Sequence, residues 1–238
     1  MTTTCDGILD VSHWEMDDAR RNGRTLVEEL TQAKAAGIIA VILKATQGKD
    51  YMDPSLHPFI SACKAINLLI GTYHFPSNSA PGNVQADWYL KVLKDAGLDI
   101  ATTPLALDRE TNDADPKTTQ DIDDARLFVK RIFDTTGKYP MLYGNTSFLA
   151  NIVDPKDILA NCPLWIAVYG AASPHIPKAF KDYFAWQNTD GRFTSGGYPG
   201  YTPGFGHIDR SSFKGTAAEL TALWPNIGRP VPELPQAA

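Results

Sequence analysis

Two acids, Asp108 and Glu110, close the apolar run PLALDRE at 104–110. On an extended strand, residues two apart share a face, with Cα atoms about 6.5–7 Å apart at ~3.3 Å rise per residue. That is near the spacing at which two carboxyl groups flank a glycosidic bond. Asp10 in GILDV and Asp209 in GHIDRSS lie at the ends of other apolar runs. Carboxylates crowded at one mouth repel, so one of them is expected to keep its proton near neutral pH. Glu110, with the longer reach, is expected to be the proton donor. Asp108, set deeper, is expected to stay ionised and stabilise positive charge. A strand end with merely solvated acids is the competing reading, and the matching positions of Asp10 and Asp209 weigh against it.

Other residues that close apolar runs could line the same mouth. They include Lys44 with Thr46, Tyr73 with His74, Tyr143 with Asn145, Tyr169, and Trp186 with Gln187. Aromatic faces stack on sugar rings, and phenolic hydroxyls bond polar groups. Trp14, Tyr73, Phe75, Tyr143, Trp165, Tyr169 and Trp186 are therefore candidate platforms, with Trp14 and Trp186 the best placed. His13, His74 and His207 beside Asp10 and Asp209 raise the alternative of a metal site. The chain lacks HExxH and CxxC, and no two histidines have a tight ligand spacing, so no metal and no cofactor is expected. A nucleophile elbow, a phosphate loop and a dinucleotide fingerprint are missing too. Arg20, Arg21 and Arg24 read as a solvated loop.

Positioning these residues requires a scaffold that gathers many strand ends. Eight apolar runs bounded by Gly, Pro or polar residues read as strands: 7–11, 39–45, 68–75, 104–110, 139–144, 163–169, 183–189 and 206–212. Amphipathic spacing predicts helices over 25–36, 57–67, 83–96 and 118–136, with Thr118 as N-cap and Gly137 as C-cap of the last. Between 163 and 212 no convincing amphipathic helix is visible. Strand–helix alternation implies a parallel sheet. The expectation is an α/β fold: one irregular TIM-like β/α barrel over 1–224, with helices lost or shortened in the C-terminal half. Its active site would lie at the C-terminal mouths of the strands. Residues 225–238, with four prolines, read as an extended Pro-rich tail.

Composition bounds the rest. With 238 residues and 43% hydrophobic content the chain has the make-up of a globular protein. A net charge of −5 argues against a nucleic-acid or membrane-coating protein, and three distant cysteines argue against a disulfide scaffold. The N-terminus has no basic region followed by an apolar stretch, so no signal peptide is expected.

The segments GILDVSHW, VILKATQG, GTYHF, LALDRE, LWIAVY, WQNT and HIDRSSFKG, from Gly7 to Gly215, resemble in order and spacing the family 25 glycoside hydrolases. These are lysozymes that cleave peptidoglycan between N-acetylmuramic acid and N-acetylglucosamine. The resemblance implies a shortened, irregular barrel, with Glu110 as acid/base and Asp108, Asp10 and Asp209 as its companions. It also implies a retaining reaction assisted by the substrate's own 2-acetamido group, with Asp108 orienting that group. Peptidoglycan strands are the implied partner, met by a monomer that engages neither nucleic acid nor membrane. The expected site of action is the bacterial wall after lysis or delivery, as for a phage endolysin. The sequence departs from the family pattern at Gln47, where an acid is usual, at Leu9 before Asp10, and at Ser211 in place of asparagine. Two alternatives stay open: a non-catalytic glycan-binding barrel or phage structural component, and a metal-dependent amidase.

Overall fold

A computed structural model describes residues 4–21, 23–193, 198 and 200–230. Strand β1 (Thr4–Val11) pairs in parallel with β2 (Ala40–Gln47), and a two-residue strand β3 (Tyr51–Met52) folds back on the end of β2. From β2 the sheet continues in parallel through β4 (Leu69–Phe75), β5 (Leu105–Asp108), β6 (Met141–Asn145), β7 (Leu164–Ala167) and β8 (Ala185–Asp190). The last strand, β9 (Asp209–Lys214), lies between β8 and β1 and closes the barrel. It runs antiparallel to both neighbours, which corrects the expectation of a fully parallel sheet.

Side chains alternate across this wall, as strand geometry requires. Ile8, Ile42, Ala106, Met141, Trp165 and Ala185 fill the barrel interior. Their neighbours Leu9, Val41, Leu43, Leu107, Leu142 and Ile166 point outward into a second apolar layer beneath the helices.

The first half has regular cover: α2 (Leu26–Ala35), α3 (Leu56–Ala65), α4 (Gly82–Asp95) and α5 (Ile122–Thr136) match the four expected helices. Helix α5 starts later than expected. Asp121 is its N-cap and Thr118 belongs to a preceding 3-10 turn, because the Asp121 carboxylate takes the amides of Asp123 and Asp124. Gly137 ends it in the left-handed conformation at φ 68°, as expected. In the second half α6 (Thr146–Leu149) is a single turn, and no helix separates β7 from β8 among the described residues.

Two helices escaped the periodicity argument. Helix α1 (His13–Arg21) is mostly charged, and Met16 is its buried apolar residue. It places Arg20 on a helix rather than in a loop. Helix α7 (Ala217–Leu223) leads into a turn that seals the barrel floor: Trp224 is buried and donates to the Ile70 carbonyl at 3.0 Å. Of the expected tail, Ile227 is buried and the Gly228 carbonyl takes the Tyr139 amide at 2.8 Å. Residues 231–238, with Pro232 and Pro235, lie outside the described residues.

Candidate active site

The carboxyl ends of the parallel strands share one mouth. Asp10 enters it from β1, Lys44 from β2, Tyr73 from β4, Asp108 from the last position of β5, Tyr143 from β6 and Trp165 from β7. Asp209 reaches the same mouth by the opposite logic. It opens β9 rather than closing it, and the reversed strand direction brings its first residue to the end where the others finish. Glu110 lies just beyond β5. The Arg109 amide still donates to the Tyr143 carbonyl at 3.0 Å, so the chain follows β6 past the last ladder pair. Gly144 permits that approach: a Cβ there would stand 2.6 Å from the Arg109 carbonyl oxygen.

Asp10, Asp108, Glu110, Asp209 and Tyr73 line two adjoining cavities of about 230 and 100 Å³. Trp14, Lys44 and Phe75 wall the larger one, Tyr143 and Trp165 the smaller. Trp14 stands 65% exposed at the rim, open to a flat ligand.

Glu15 was not foreseen as a lining residue. Its carboxylate accepts from the Ser12 amide at 2.7 Å and the Ser12 hydroxyl at 3.1 Å, and this anchors the start of α1 at the mouth. The signal was present as S-x-x-E directly after an apolar strand, a helix-capping pattern.

The electrostatics follow from packing acids together with little compensating charge. Lys44 is the one cation lining the larger cavity among the described residues. Burial, then Asp113, pushes Glu110 up to about 7 against the pull of Lys44. Burial, Glu15 and Asp190 push Asp209 up to about 7. Asp10 is raised well above the carboxylate range by burial and by Asp209. Asp108 is raised likewise by burial and by Glu110, and its Oδ1 has no hydrogen-bond partner. Burial and Glu110 thus oppose ionisation of Asp108, while Lys44 favours it. The acids titrate as a group, and the cluster retains protons near neutral pH.

Hydrogen bonds order the surrounding wall. Gln187 on β8 donates from Nε2 to both Asp10 oxygens, at 3.0 and 3.1 Å, and accepts from Tyr143 at 2.7 Å and from Tyr169. Trp165 donates to Ser211 at 2.9 Å, and Lys44 donates to Gln47 at 2.9 Å.

Two expected lining residues are elsewhere. His74 points outward from β4 and is fully buried, with its nitrogens on Thr46 at 2.8 Å and Gln85 at 3.2 Å and its ring stacked on Phe128. Burial pushes it down to about 3, so it stays neutral there. Trp186 also points outward, donates to the Val168 carbonyl at 2.9 Å, and meets Tyr198 edge-on. In both cases the inward neighbour, Tyr73 or Gln187, occupies the mouth.

The histidines do not converge. His13 Nδ1 lies 2.9 Å from the buried Asp53 carboxylate, and His207 Nδ1 bonds the Gly200 carbonyl. The amidase alternative therefore loses its ligand set.

Comparison with known proteins gives a consistent picture. Residues 9–197 match the family described as Glycosyl hydrolases family 25. Lysozyme M1 of Streptomyces globisporus is 27% identical over 222 residues, covering 90% of this chain and 70% of that protein. The N,O-diacetylmuramidase of Chalaropsis is 30% identical over 169 residues, covering 66% and 80%. The structure of a muramidase from Trichobolus zukalii superposes with a TM-score of 0.70 at 25% identity, covering 92% of this chain and 98% of that one. With the family match running through β1, β5 and β8, this chain belongs to family 25 of the glycosyl hydrolases.

Proposed function

We propose that this glycoside hydrolase cleaves the β-1,4 bond between N-acetylmuramic acid and N-acetylglucosamine in peptidoglycan, with Glu110 as its acid/base. The observation that carries this reading is the meeting of Asp10, Asp108, Glu110 and Asp209 in one cleft, with Glu110 raised to about 7. A carboxyl group at that value is still substantially protonated near neutral pH and can protonate a leaving oxygen.

In this reading the Glu110 proton passes to the glycosidic oxygen as its bond to C1 breaks. The carbonyl oxygen of the substrate's 2-acetamido group closes on C1 from the other face, and Asp108 orients that group and offsets its growing positive charge. Glu110, now ionised, takes a proton from water as the water oxygen attacks C1. This opens the ring intermediate and restores the acetamide. Two displacements at C1 give net retention, the exception to two-carboxylate glycoside hydrolysis in which the substrate supplies the nucleophile. Asp10 and Asp209 shape the charge of the site, while Trp14, Tyr73, Tyr143, Trp165 and Tyr169 contact sugars. One chain supplies the complete mouth, consistent with action as a monomer on wall glycan exposed by lysis or delivery.

Digestion of purified peptidoglycan, with and without EDTA, tests the reading by mass spectrometry of the new ends. The expected products carry reducing-end N-acetylmuramic acid and form equally well with EDTA. Cleaved amide bonds, or binding without new reducing ends, would overturn it.

A further inference from the structure

Gln187 is fully buried, and its amide is satisfied on both sides. A carboxamide offers two N–H donors and one oxygen with two lone pairs. Both lone pairs are taken by hydroxyls, from Tyr143 at 2.7 Å and from Tyr169, while Nε2 straddles the two Asp10 oxygens at 3.0 and 3.1 Å. Turning the amide over would set its oxygen against the acceptor-only Asp10 carboxylate and would give up the two hydroxyl bonds to that oxygen, so Asp10 and the tyrosines together fix its direction. Asp10 and Asp209 line the same cavity of about 100 Å³ and act on each other, and two carboxyl groups crowded in this way are relieved when one proton is held between them.

We infer that Gln187 is a positioning residue: it presents donors to Asp10 so that the Asp10–Asp209 pair shares one proton and keeps one negative charge. That charge stands across the barrel from Asp108 and Glu110, since β1 and β9 lie opposite β5 in the strand order. This inference rests on the proposed glycosidase reaction, in which positive charge develops between the two walls. Asp10 is also faced by Glu15 from α1, Glu110 and Asp108 from β5 and its exit, Tyr73 from β4, and the Tyr143 and Tyr169 hydroxyls. Lys44 faces Asp108 and Glu110. Against so many acids, the side-chain hydrogen bonds from Gln187 favour the ionised form of Asp10.

The test is the pH dependence of kcat and KM for Gln187→Met and, separately, for the Tyr143→Phe/Tyr169→Phe double variant. Without the Gln187 donors, or with its amide free to turn over, the pair keeps both protons to higher pH. The acid limb of the kcat profile should then move up by about one pH unit. At a pH on that limb, kcat should fall about tenfold. A folded Gln187→Met with an unmoved acid limb would overturn the inference. If Gln187→Met does not fold, the double variant decides in the same way. Wild-type activity distinguishes the two levels: absence of muramidase products from wild type defeats the proposed function, whereas normal wild-type turnover with unshifted variants defeats the role of Gln187 alone.

Discussion

Tyr73 and His74 are adjacent on β4, as Gln187 and Trp186 are on β8, yet each pair is divided by the barrel wall. Outside the wall, His74 has both nitrogens bonded and its ring stacked, and Trp186 has its indole nitrogen bonded. Inside, Asp108 has an unbonded oxygen, and five acids share a mouth with one lysine. On the outer face the ring nitrogens of His74 and Trp186 are bonded, and this serves stability. The inner face leaves like charges crowded and held above their ordinary titration range, the condition expected where residues have been arranged for chemistry.

Mutations on the two faces should therefore separate activity from stability. The largest effect falls inside: Glu110→Gln should lower kcat by about 10³-fold while the fold is retained, checked by turnover on peptidoglycan and by circular dichroism. Outside, His74→Ala should cost about 2–3 kcal/mol, because it opens a gap and takes the buried Thr46 hydroxyl's partner away. Its kcat/KM, measured well below the melting temperature, should stay within about twofold of wild type, an outcome of merely structural burial. A large loss of activity with unchanged stability would place His74 in the site after all.

The same Glu110→Gln variant should be the more stable protein at high pH. Burial raises the proton affinity of folded Glu110 above that of the unfolded chain. Stability linked to that group is thus fully present below the ordinary glutamate range and is lost as pH rises through about 7. At pH 8 the glutamine variant should gain about 1–3 kcal/mol over wild type in denaturant melts, with the difference gone at pH 4. The smallest effects separate the two tryptophans. Trp14→Ala should raise KM about fivefold through loss of a sugar platform, whereas Trp186→Phe should leave KM within about twofold.

Much of this arrangement was legible in the sequence. The eight runs carried enough β-branched and aliphatic content to mark the strands, and Asp108 and Glu110 closed one of them visibly. What was not legible has physical reasons. Strands of a parallel barrel are apolar on both faces, so the pattern around Tyr73-His74 or Trp186-Gln187 does not say which neighbour faces the axis. The direction of β9 shows in its antiparallel pairing with β1 and β8, which periodicity does not report. Helix α1 buries little apolar surface and announces itself only through the Ser12–Glu15 cap.

The central claim is that burial, reinforced by Asp113, holds Glu110 as an acid at neutral pH. The direct measurement is a carbon-13 NMR titration of the Glu110 carboxyl group beside the wild-type pH profile of kcat/KM. The account predicts that Glu110 titrates at about 7 and that kcat/KM declines with rising pH over the same interval. Titration near the ordinary value of about 4.3, with no limb of the profile close to neutrality, would contradict it.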